Sequence, residues 1–359
     1  QATDDQKAEY RNLPYGTYTL HLRSYIDPDH PSNEYTYTFT ILPPWYHTWW
    51  ARTIFVGGGL LLIWLVFRIR TRQLRARQQE LEETVASRTS ELREKHDQLE
   101  ESHKEIRDSI AYAKRIQSAI LPPAKLVKSY LPNNFILYKP KDVVAGDFYW
   151  MANTDKKVLF AAADCTGHGV PGAMVSVICN NCLNRAVNEF GLTDPGLVLD
   201  KTRELVIQEF EKSEDDVKDG MDISLCSLDL ETGELLWAGA NNPLWIIKAD
   251  ASGETGNRDL MEVKADKQPI GKYQHQTSFT THPITISKGD VFYIFSDGFA
   301  DQFGGPKGKK FKTSNFKELL LSICHEPMDR QCELLEEAFE GWRGEIDQID
   351  DVCIIGVRV

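Results

Sequence analysis

The sequence predicts an α+β protein with antiparallel sheets, carried on a membrane helix and a helical linker. Three observations point there. Strand-like and helical runs fill residues 122–359 in blocks rather than in strict alternation. Residues 69–121 have almost no Gly or Pro and are rich in Glu, Lys, Arg and Gln. Ahead of them, Ile54 to Phe67 holds no charged or strongly polar residue.

The elements follow in order. Residues 1–44 contain two alternating runs, YGTYTLHLRSY (15–25) and NEYTYTFTI (33–41), which read as β-strands. The stretch DPDHPS (27–32) between them has loop chemistry. Two strands alone are marginal, so this region reads as the end of a β-domain whose earlier strands are missing. The chain starts at Gln1 without a methionine and looks like a piece of something longer.

Residues 45–68 predict a transmembrane helix. From Trp49 to Phe67 runs about 19 residues, or about 28 Å of helix, close to the hydrocarbon thickness. Trp45, Tyr46, Trp49 and Trp50 form an aromatic belt at one end, and Arg52 sits where it can snorkel. Arg68, Arg70, Arg72, Arg75 and Arg77 crowd the other end, which puts the C-terminal side in the cytoplasm. A buried core helix is the alternative.

Across 69–121, Val85, Leu92, Leu99, Ile106, Ala113 and Ile120 recur every seven residues, one edge of a coiled-coil seam. The companion edge (Thr89, His96, His103, Ile110) is polar until its end. A parallel homodimeric coil of marginal strength is expected, as a signalling coil requires two packings close in energy. Pro122 and Pro123 stop the helix. Beyond them, strands are expected at 135–140, 143–150, 157–164, 223–230, 234–240, 244–249, 277–286, 291–297 and 352–359, and helices after Pro171 and Pro195 and over 314–324 and 328–341.

Composition sets outer bounds. At roughly 150 residues per domain, 359 residues allow about two domains plus connectors. An apolar content of 42% excludes wholesale disorder. Fifty-three acidic against 41 basic side chains give a net charge of −12, which argues against a nucleic-acid partner. All seven cysteines (Cys165, Cys179, Cys182, Cys226, Cys324, Cys332, Cys353) lie in the C-terminal two-thirds and form no disulfide framework, which suits a reducing compartment. Cys179 and Cys182 have CxxC spacing but no second pair, and read as buried and inert. GGPKGKK (304–310) lacks the full phosphate-loop pattern and reads as a flexible substrate-side loop. Trp237 and Trp245 read as core.

The chemistry rests on acidic residues where strands meet loops. Asp147 lies in AGDFYW, Asp164 opens DCTGHGVPGAM, Asp297 follows VFYIFS, and Asp350 and Asp351 precede VCIIGV. Any one of them could be a turn former or cap. The repetition favours a site for Mg²⁺ or Mn²⁺, which take carboxylates plus water. Two such ions can activate a shared water. Flanking glycines (Gly146, Gly167, Gly169, Gly298) allow close approach of a small anion.

The set AKRIQSAILP (113–122), AGDFYW (145–150), DCTGHGVPGAMVS (164–176), DGMDISL (219–225), ANNPLW (240–245), FSDGFADQF (295–303) and DDVCII (350–355) resembles the SpoIIE-like branch of the bacterial metal-dependent PPM protein serine/threonine phosphatases. The motifs stand in the family's order across 113–359. The segment LPPWYHTWW (42–50) resembles the junction after the sandwich domain of propeller-containing bacterial receptors. The resemblance implies a domain layout of 1–44 sensor β-sandwich remnant, 45–68 transmembrane helix, 69–121 coiled coil and 122–359 phosphatase. It implies an αββα sandwich with two metals, and a third in some relatives, in a cleft between sheet edges. Asp164 matches the carboxylate shared by both metals, the Cys165 carbonyl completes one shell, Asp147 matches the acid at the second metal, and Asp297 and Asp350 match those at the first. Asp351 is the fallback for Asp350. Asp219 and Asp222 lie where some relatives hold the third ion. His168 matches a proposed general acid, with one residue more between it and Asp164 than in the eukaryotic pattern. The eukaryotic phosphate-gripping arginine has no clear counterpart; Lys139 or Lys141 is the candidate substitute. Ala145 stands where a second glycine is common.

The implied function is hydrolysis of phosphoserine or phosphothreonine in a regulatory phosphoprotein, such as an anti-sigma factor antagonist. The implied location is the bacterial inner membrane, single-pass, with the N-terminus extracytoplasmic. An outside event would shift the coil, and the 113–122 helix would order or disorder the cleft. A membrane-anchored nucleotide cyclase and a silent phosphoprotein-binding scaffold are the rivals. The former is disfavoured by the separate C-terminal SDG and DD motifs, the latter by the full carboxylate set.

Overall fold

The computed structural model describes residues 9–27, 30–154, 156–212, 218–249 and 259–359, and the chain divides into two units, Gln1–Leu99 and Glu100–Val359. In the first unit, β1 (Gly16–Leu22) pairs antiparallel with β4 (Tyr35–Ile41), and a short pair, β2 (Tyr25–Asp27) and β3 (His30–Pro31), lies between them. The 27–32 stretch, expected as loop, therefore carries paired backbone on either side of Pro28 and Asp29, which lie outside the described residues. Thr17 and Thr40 hydroxyls meet at 3.1 Å and Tyr18 stacks on Phe39 across the ladder. Tyr35 and Tyr37 remain exposed, because two strands cannot cover both faces of their own sheet.

The helix α1 runs unbroken from Trp49 to Ile120, so the apolar and heptad-like segments form one continuous helix. No Pro interrupts it, and its three consecutive glycines (Gly57–Gly59) meet no neighbour. Among the described residues one helix is long and apolar enough to cross a membrane. From Ile54 to Phe67 its large apolar side chains are about half to two-thirds exposed. Along the seven-residue row, Val85, Leu92, Leu99 and Ile106 are exposed as well.

In the second unit, Pro123 holds the N-cap position of α2 (Ala124–Tyr130), a helix of about two turns that sequence reading missed because the Pro pair was read only as a stop. There follow β5 (Asn134–Lys139), β6 (Phe148–Asn153), β7 (Lys157–Cys165), α3 (Gly169–Asn188), α4 (Pro195–Phe210), β8 (Met221–Asp229), β9 (Leu235–Ala240), β10 (Leu244–Ile247), β11 (Leu260–Val263), β12 (His282–Ile284), β13 (Val291–Phe295), α5 (Gly298–Asp301), β14 (Phe303–Gly304), β15 (Lys309–Lys310), α6 (Thr313–Ile323), α7 (Met328–Arg343) and β16 (Val352–Arg358).

Two five-stranded antiparallel sheets form, in the orders β12-β9-β8-β7-β6 and β11-β10-β13-β16-β5. They share an apolar cluster in which Phe160, Cys226 and Trp237 of the first meet Phe292, Ile294 and Ile355 of the second. A second cluster joins the first sheet to α3 and α4 through Leu159, Leu183, Leu199 and Ile223. A third joins the other sheet to α5, α6 and α7 through Tyr293, Phe299, Phe316 and Phe339. The sheet interiors read as continuous apolar runs because both faces are covered. Trp237 and Trp245 are fully buried, as expected.

Two expected strands are shorter than their sequences advertise, and the cause is the same. In 143–150 pairing starts only at Phe148, because the amides of Ala145 and Gly146 donate to Gln117 and Asp351 side chains. In 277–286 only His282–Ile284 pairs, because Thr277, Phe279 and Thr280 amides donate to Gln268, Asp200 and Asp266. Side-chain acceptors replace the ladder. The 304–310 segment, expected as a flexible loop, is a small hairpin, β14 with β15, packed against Trp342.

Candidate active site

The site forms where strands of the two sheets end together. Asp164 stands at the end of β7, directly opposite Asp222 on β8, so both carboxylates share a face. Like charges placed opposite destabilise a sheet, so this pair is a cost that packing alone would not select. Asp297 follows β13 and Asp350 precedes β16, and Phe295 of β13 pairs with Ile354 of β16, which brings the two acids to one end of the second sheet. Asp164, Asp222, Asp297 and Asp350 line one cleft of about 310 Å³, together with Cys165, Thr166, His168, Lys218 and Lys272.

Asp147 lies behind this wall, 2% exposed, near enough to Asp164 for the two charges to act on each other. Its Oδ2 is buried without a partner, while its carbonyl accepts from the Tyr138 hydroxyl at 3.1 Å. Burial, then the Asp164 charge, hold its carboxyl well above the usual carboxylate range. Asp164 is pushed up to about 8 by burial and then by Asp297, Asp350 and Asp222. Asp297 is pushed up to about 6 by burial, then by Asp301 and Asp350; it is exposed at the cleft mouth, so its shift is the softer one. Asp297 occupies the N-cap position of α5 yet makes no capping bond, so its carboxylate is not spent on the helix.

These carboxylates repel one another, and an orphaned buried oxygen lies among them. An all-oxygen acidic set of this kind fits a hard divalent cation. Among the described residues no group of three or more His, Cys, Asp or Glu side chains is drawn tightly enough together to hold an ion as it stands. The acids ring the cleft with their repulsion unrelieved.

The other candidates separate by their partners. Asp351, 2% exposed, accepts from the Lys141 amide and the Gly146 amide, both at 2.7 Å, so it ties down the 141–147 loop while Asp350 faces the cleft. Asp222 accepts from Asn241 at 2.8 Å. Asp219 is half-buried between the lining residues Lys218 and Gly220 without lining the cleft. Lys139 is bound by Glu336 at 3.0 Å and Glu340 at 2.9 Å, away from the acids. The Lys141 ammonium lies 2.9 Å from His168 Nε2, and His168 Nδ1 lies 3.1 Å from Asp142. The Cys165 thiol is buried and pushed up well above its ordinary value by burial and by Cys179. Cys179 and Cys182 are free and fully buried on α3, and burial pushes Cys182 up to about 12, which suits an inert pair.

Backbone proximity is built by glycine. A Cβ on Gly146 would stand 2.2 Å from the Gly167 carbonyl oxygen and 3.1 Å from that of Cys165, so no other residue lets the Asp147 loop reach the Asp164 loop. The neighbouring Ala145, with no glycine's freedom, is held instead by Gln117 of α1. That side chain, 5% exposed, donates to the Ala145 carbonyl at 2.5 Å, accepts from its amide at 3.1 Å and donates to Ser176 at 3.0 Å. Gln117 lies in AKRIQSAILP (113–122), where no role was expected of it. A polar residue on an apolar-spaced helix end was the available signal. Asn241 lies in the ANNPLW motif (240–245) but has no role assigned from it, and nothing in the local sequence of Lys218 or Lys272 marks them.

The family model for Stage II sporulation protein E (SpoIIE) matches residues 154–359. The solved SiaA-PP2C domain of Pseudomonas aeruginosa is 31% identical, covering 72% of this chain and 98% of its own, with a TM-score of 0.63. The RsbU and RsbW domains of a Mycobacterium tuberculosis protein are 24% identical over 64% of this chain and 60% of theirs, with a TM-score of 0.50. The PP2C phosphatase domain of SpoIIE from Bacillus subtilis, with a regulatory fragment, is 19% identical over 63% of each chain, with a TM-score of 0.51. The last two show likeness of fold alone. No curated protein matches the chain.

Proposed function

Because this chain belongs to the SpoIIE family of PP2C-type, metal-dependent protein serine/threonine phosphatases, we propose that it is a membrane-anchored, signal-regulated member acting on a regulatory phosphoprotein such as an anti-sigma factor antagonist. The observation that carries the site is the convergence of Asp164, Asp222, Asp297 and Asp350 on one cleft, backed by buried Asp147. Asp147, Asp164, the Cys165 carbonyl, Asp297 and Asp350 would hold two Mn²⁺ or Mg²⁺ ions, with Asp222 and Asp219 beside a third. Such ions, when bound, supply a water acidic enough to attack phosphorus at neutral pH and positive charge against the phosphoryl oxygens. The chain's own part is positional. Asp351 fixes the loop that carries Asp147, and the Gly146 approach sets its distance from Asp164. Burial of Asp147 keeps bulk water from its side of the cleft.

The αββα sandwich of that family accords with the apolar cluster shared by the sheets and the helices packed on each. The exposed apolar surface from Ile54 to Phe67 supports a single span, and the row of basic residues after it supports a cytoplasmic phosphatase unit. The uncovered Val85, Leu92, Leu99 and Ile106 support a homodimeric coil, because each needs a partner surface. The Gln117 bridge from α1 to Ala145 supports control of the cleft by the helix.

The test is phosphate release from a phosphoserine protein by the chain in detergent micelles, with Mn²⁺, with chelator, and beside Asp164→Asn. Metal-dependent release lost in the variant supports the reading. Binding of the phosphoprotein without release in any metal refutes it in favour of a scaffold.

A further inference from the structure

The β14–β15 hairpin concentrates positive charge that the metal set does not use. Residues 302–317 carry five lysines (Lys307, Lys309, Lys310, Lys312, Lys317) and no acidic residue, in a chain with a net charge of −12. Lys310 is bound by Asp301 at 2.7 Å and Lys317 by Glu262 at 2.5 Å. Lys307, Lys309 and Lys312 are exposed, and among the described residues their ammonium groups have no partner. Lys312 also has a left-handed φ of +74°, which glycine would adopt without strain. A lysine side chain is therefore kept there at a backbone cost that the fold does not require.

The hairpin is fixed rather than loose. The Gly305 amide donates to the Trp342 carbonyl at 2.7 Å, and the Trp342 indole donates to the Gln302 carbonyl at 3.2 Å. Buried Phe311 meets Phe299 and Trp342 edge-on, with ring centroids 5.3 and 5.2 Å apart. The Gly308 amide closes the tip on the Gly305 carbonyl at 3.1 Å, and the Lys312 amide donates to the Ala300 carbonyl at 2.7 Å. The hairpin also stands beside the cleft. Only the four residues of α5 and Gln302 separate it from Asp297, and the Lys310 charge is near enough to Asp297 to oppose the upward push of burial and Asp301. Lys307, Lys309 and Lys312 do not line the cleft themselves. Cations held rigidly beside a cleft suit a partner that extends past the reacting group, because little ordering is needed to meet it.

We propose that the hairpin carrying Lys307, Lys309 and Lys312 is a docking surface for an acidic stretch of the protein substrate, lying outside the phosphorylated residue itself. This rests on the phosphatase reading above. The hairpin selects which phosphoprotein is held at the cleft and takes no part in the chemical step.

The experiment measures kcat/KM of the chain in detergent micelles, with Mn²⁺, on two phosphoserine peptides. They are alike except that one carries glutamates and the other glutamines on both sides of the phosphoserine. Hydrolysis of p-nitrophenyl phosphate by the unmodified chain is measured alongside. The glutamate peptide is expected to be preferred about tenfold, the size of three solvent-exposed charge contacts acting together. The preference should reside in KM and fade between about 50 and 300 mM salt. The double variant Lys307→Glu, Lys309→Glu is expected to abolish it. Lys312→Gly is expected to reduce it about twofold while Tm holds or rises, which separates lost docking from misfolding. A preference that survives the double variant would overturn the proposal, since other cations would then carry it. So would equal use of the two peptides by an unmodified chain that hydrolyses p-nitrophenyl phosphate. Absence of metal-dependent release from all three substrates would remove the phosphatase reading itself and this proposal with it.

Discussion

Removing divalent ions should make the phosphatase unit less stable as pH rises, and the size of the loss can be worked from Asp164. Its folded carboxyl titrates at about 8, pushed up by burial and by Asp297, Asp350 and Asp222, against 3.8 for an unperturbed one. Between these values the folded state holds a proton that the unfolded state has released. Stability is therefore highest near pH 4 and falls as pH rises towards 8, by about 1.4 kcal/mol per unit for one proton. From pH 5 to 7 this comes to about 3 kcal/mol as an upper bound. The proton is shared with Asp147, so it belongs to the pair, and about 2 kcal/mol is the expectation. Asp297 is exposed and screened, and adds little.

For a domain of this size that is a fall of about 4–8 °C in Tm. The assay is thermal unfolding of the chain in detergent micelles, followed by near-ultraviolet circular dichroism of the buried tryptophans, in chelator at pH 5, 6 and 7. Mn²⁺ at a fixed concentration of about a hundred times its Kd at pH 7 should restore about 2.7 kcal/mol at that pH and less at pH 5, because binding must displace the proton. Asp164→Asn in chelator should flatten the pH dependence and abolish the metal gain. A chelated Tm that stays level or rises from pH 5 to 7, or an Asp164→Asn chain that falls just as steeply, would refute the reasoning.

Three further outcomes follow from contacts. Gly146→Ala forces a Cβ to 2.2 Å from the Gly167 carbonyl oxygen; it should cost about 1–3 kcal/mol and lower metal affinity, measured by Mn²⁺ titration of the unfolding midpoint. Gln117→Ala strands the Ala145 amide and carbonyl in a buried place; a loss of about 1–3 kcal/mol and faster hydrogen exchange at 145–147 are expected, and unchanged exchange there would break the proposed link from helix to cleft. Asp350→Asn and Asp351→Asn should separate: the first keeps stability in chelator and loses the metal gain, while the second, deprived of an acceptor for the Lys141 or Gly146 amide, destabilises with or without metal.

Much of this was legible in the chain itself. Period-two runs at 15–25 and 33–41 became β1 and β4, the helix expected after Pro195 begins at that proline, and the one expected after Pro171 begins two residues earlier, at Gly169. Aspartates at strand ends could be picked out because a carboxylate after a buried strand is visible as a local pattern. The two shortened strands share one property. The amides of 145–146 and 277–280 leave their expected strands for side chains of Gln117, Asp351, Gln268, Asp200 and Asp266, acceptors that local pattern does not reveal.

The sequence by itself determined the apolar span, the heptad row, most of the longer strands and helices and the candidate acids, because each is written in the spacing of neighbouring residues. Only the tertiary structure decided that Asp350 faces the cleft while Asp351 holds a loop, that Lys139 is taken by glutamates, and that Lys141, His168 and Asp142 form one chain. Those roles depend on which groups stand within about 3 Å of one another, the range over which a hydrogen bond acts, and residues two hundred positions apart reach that range only when the two sheets close on a common core.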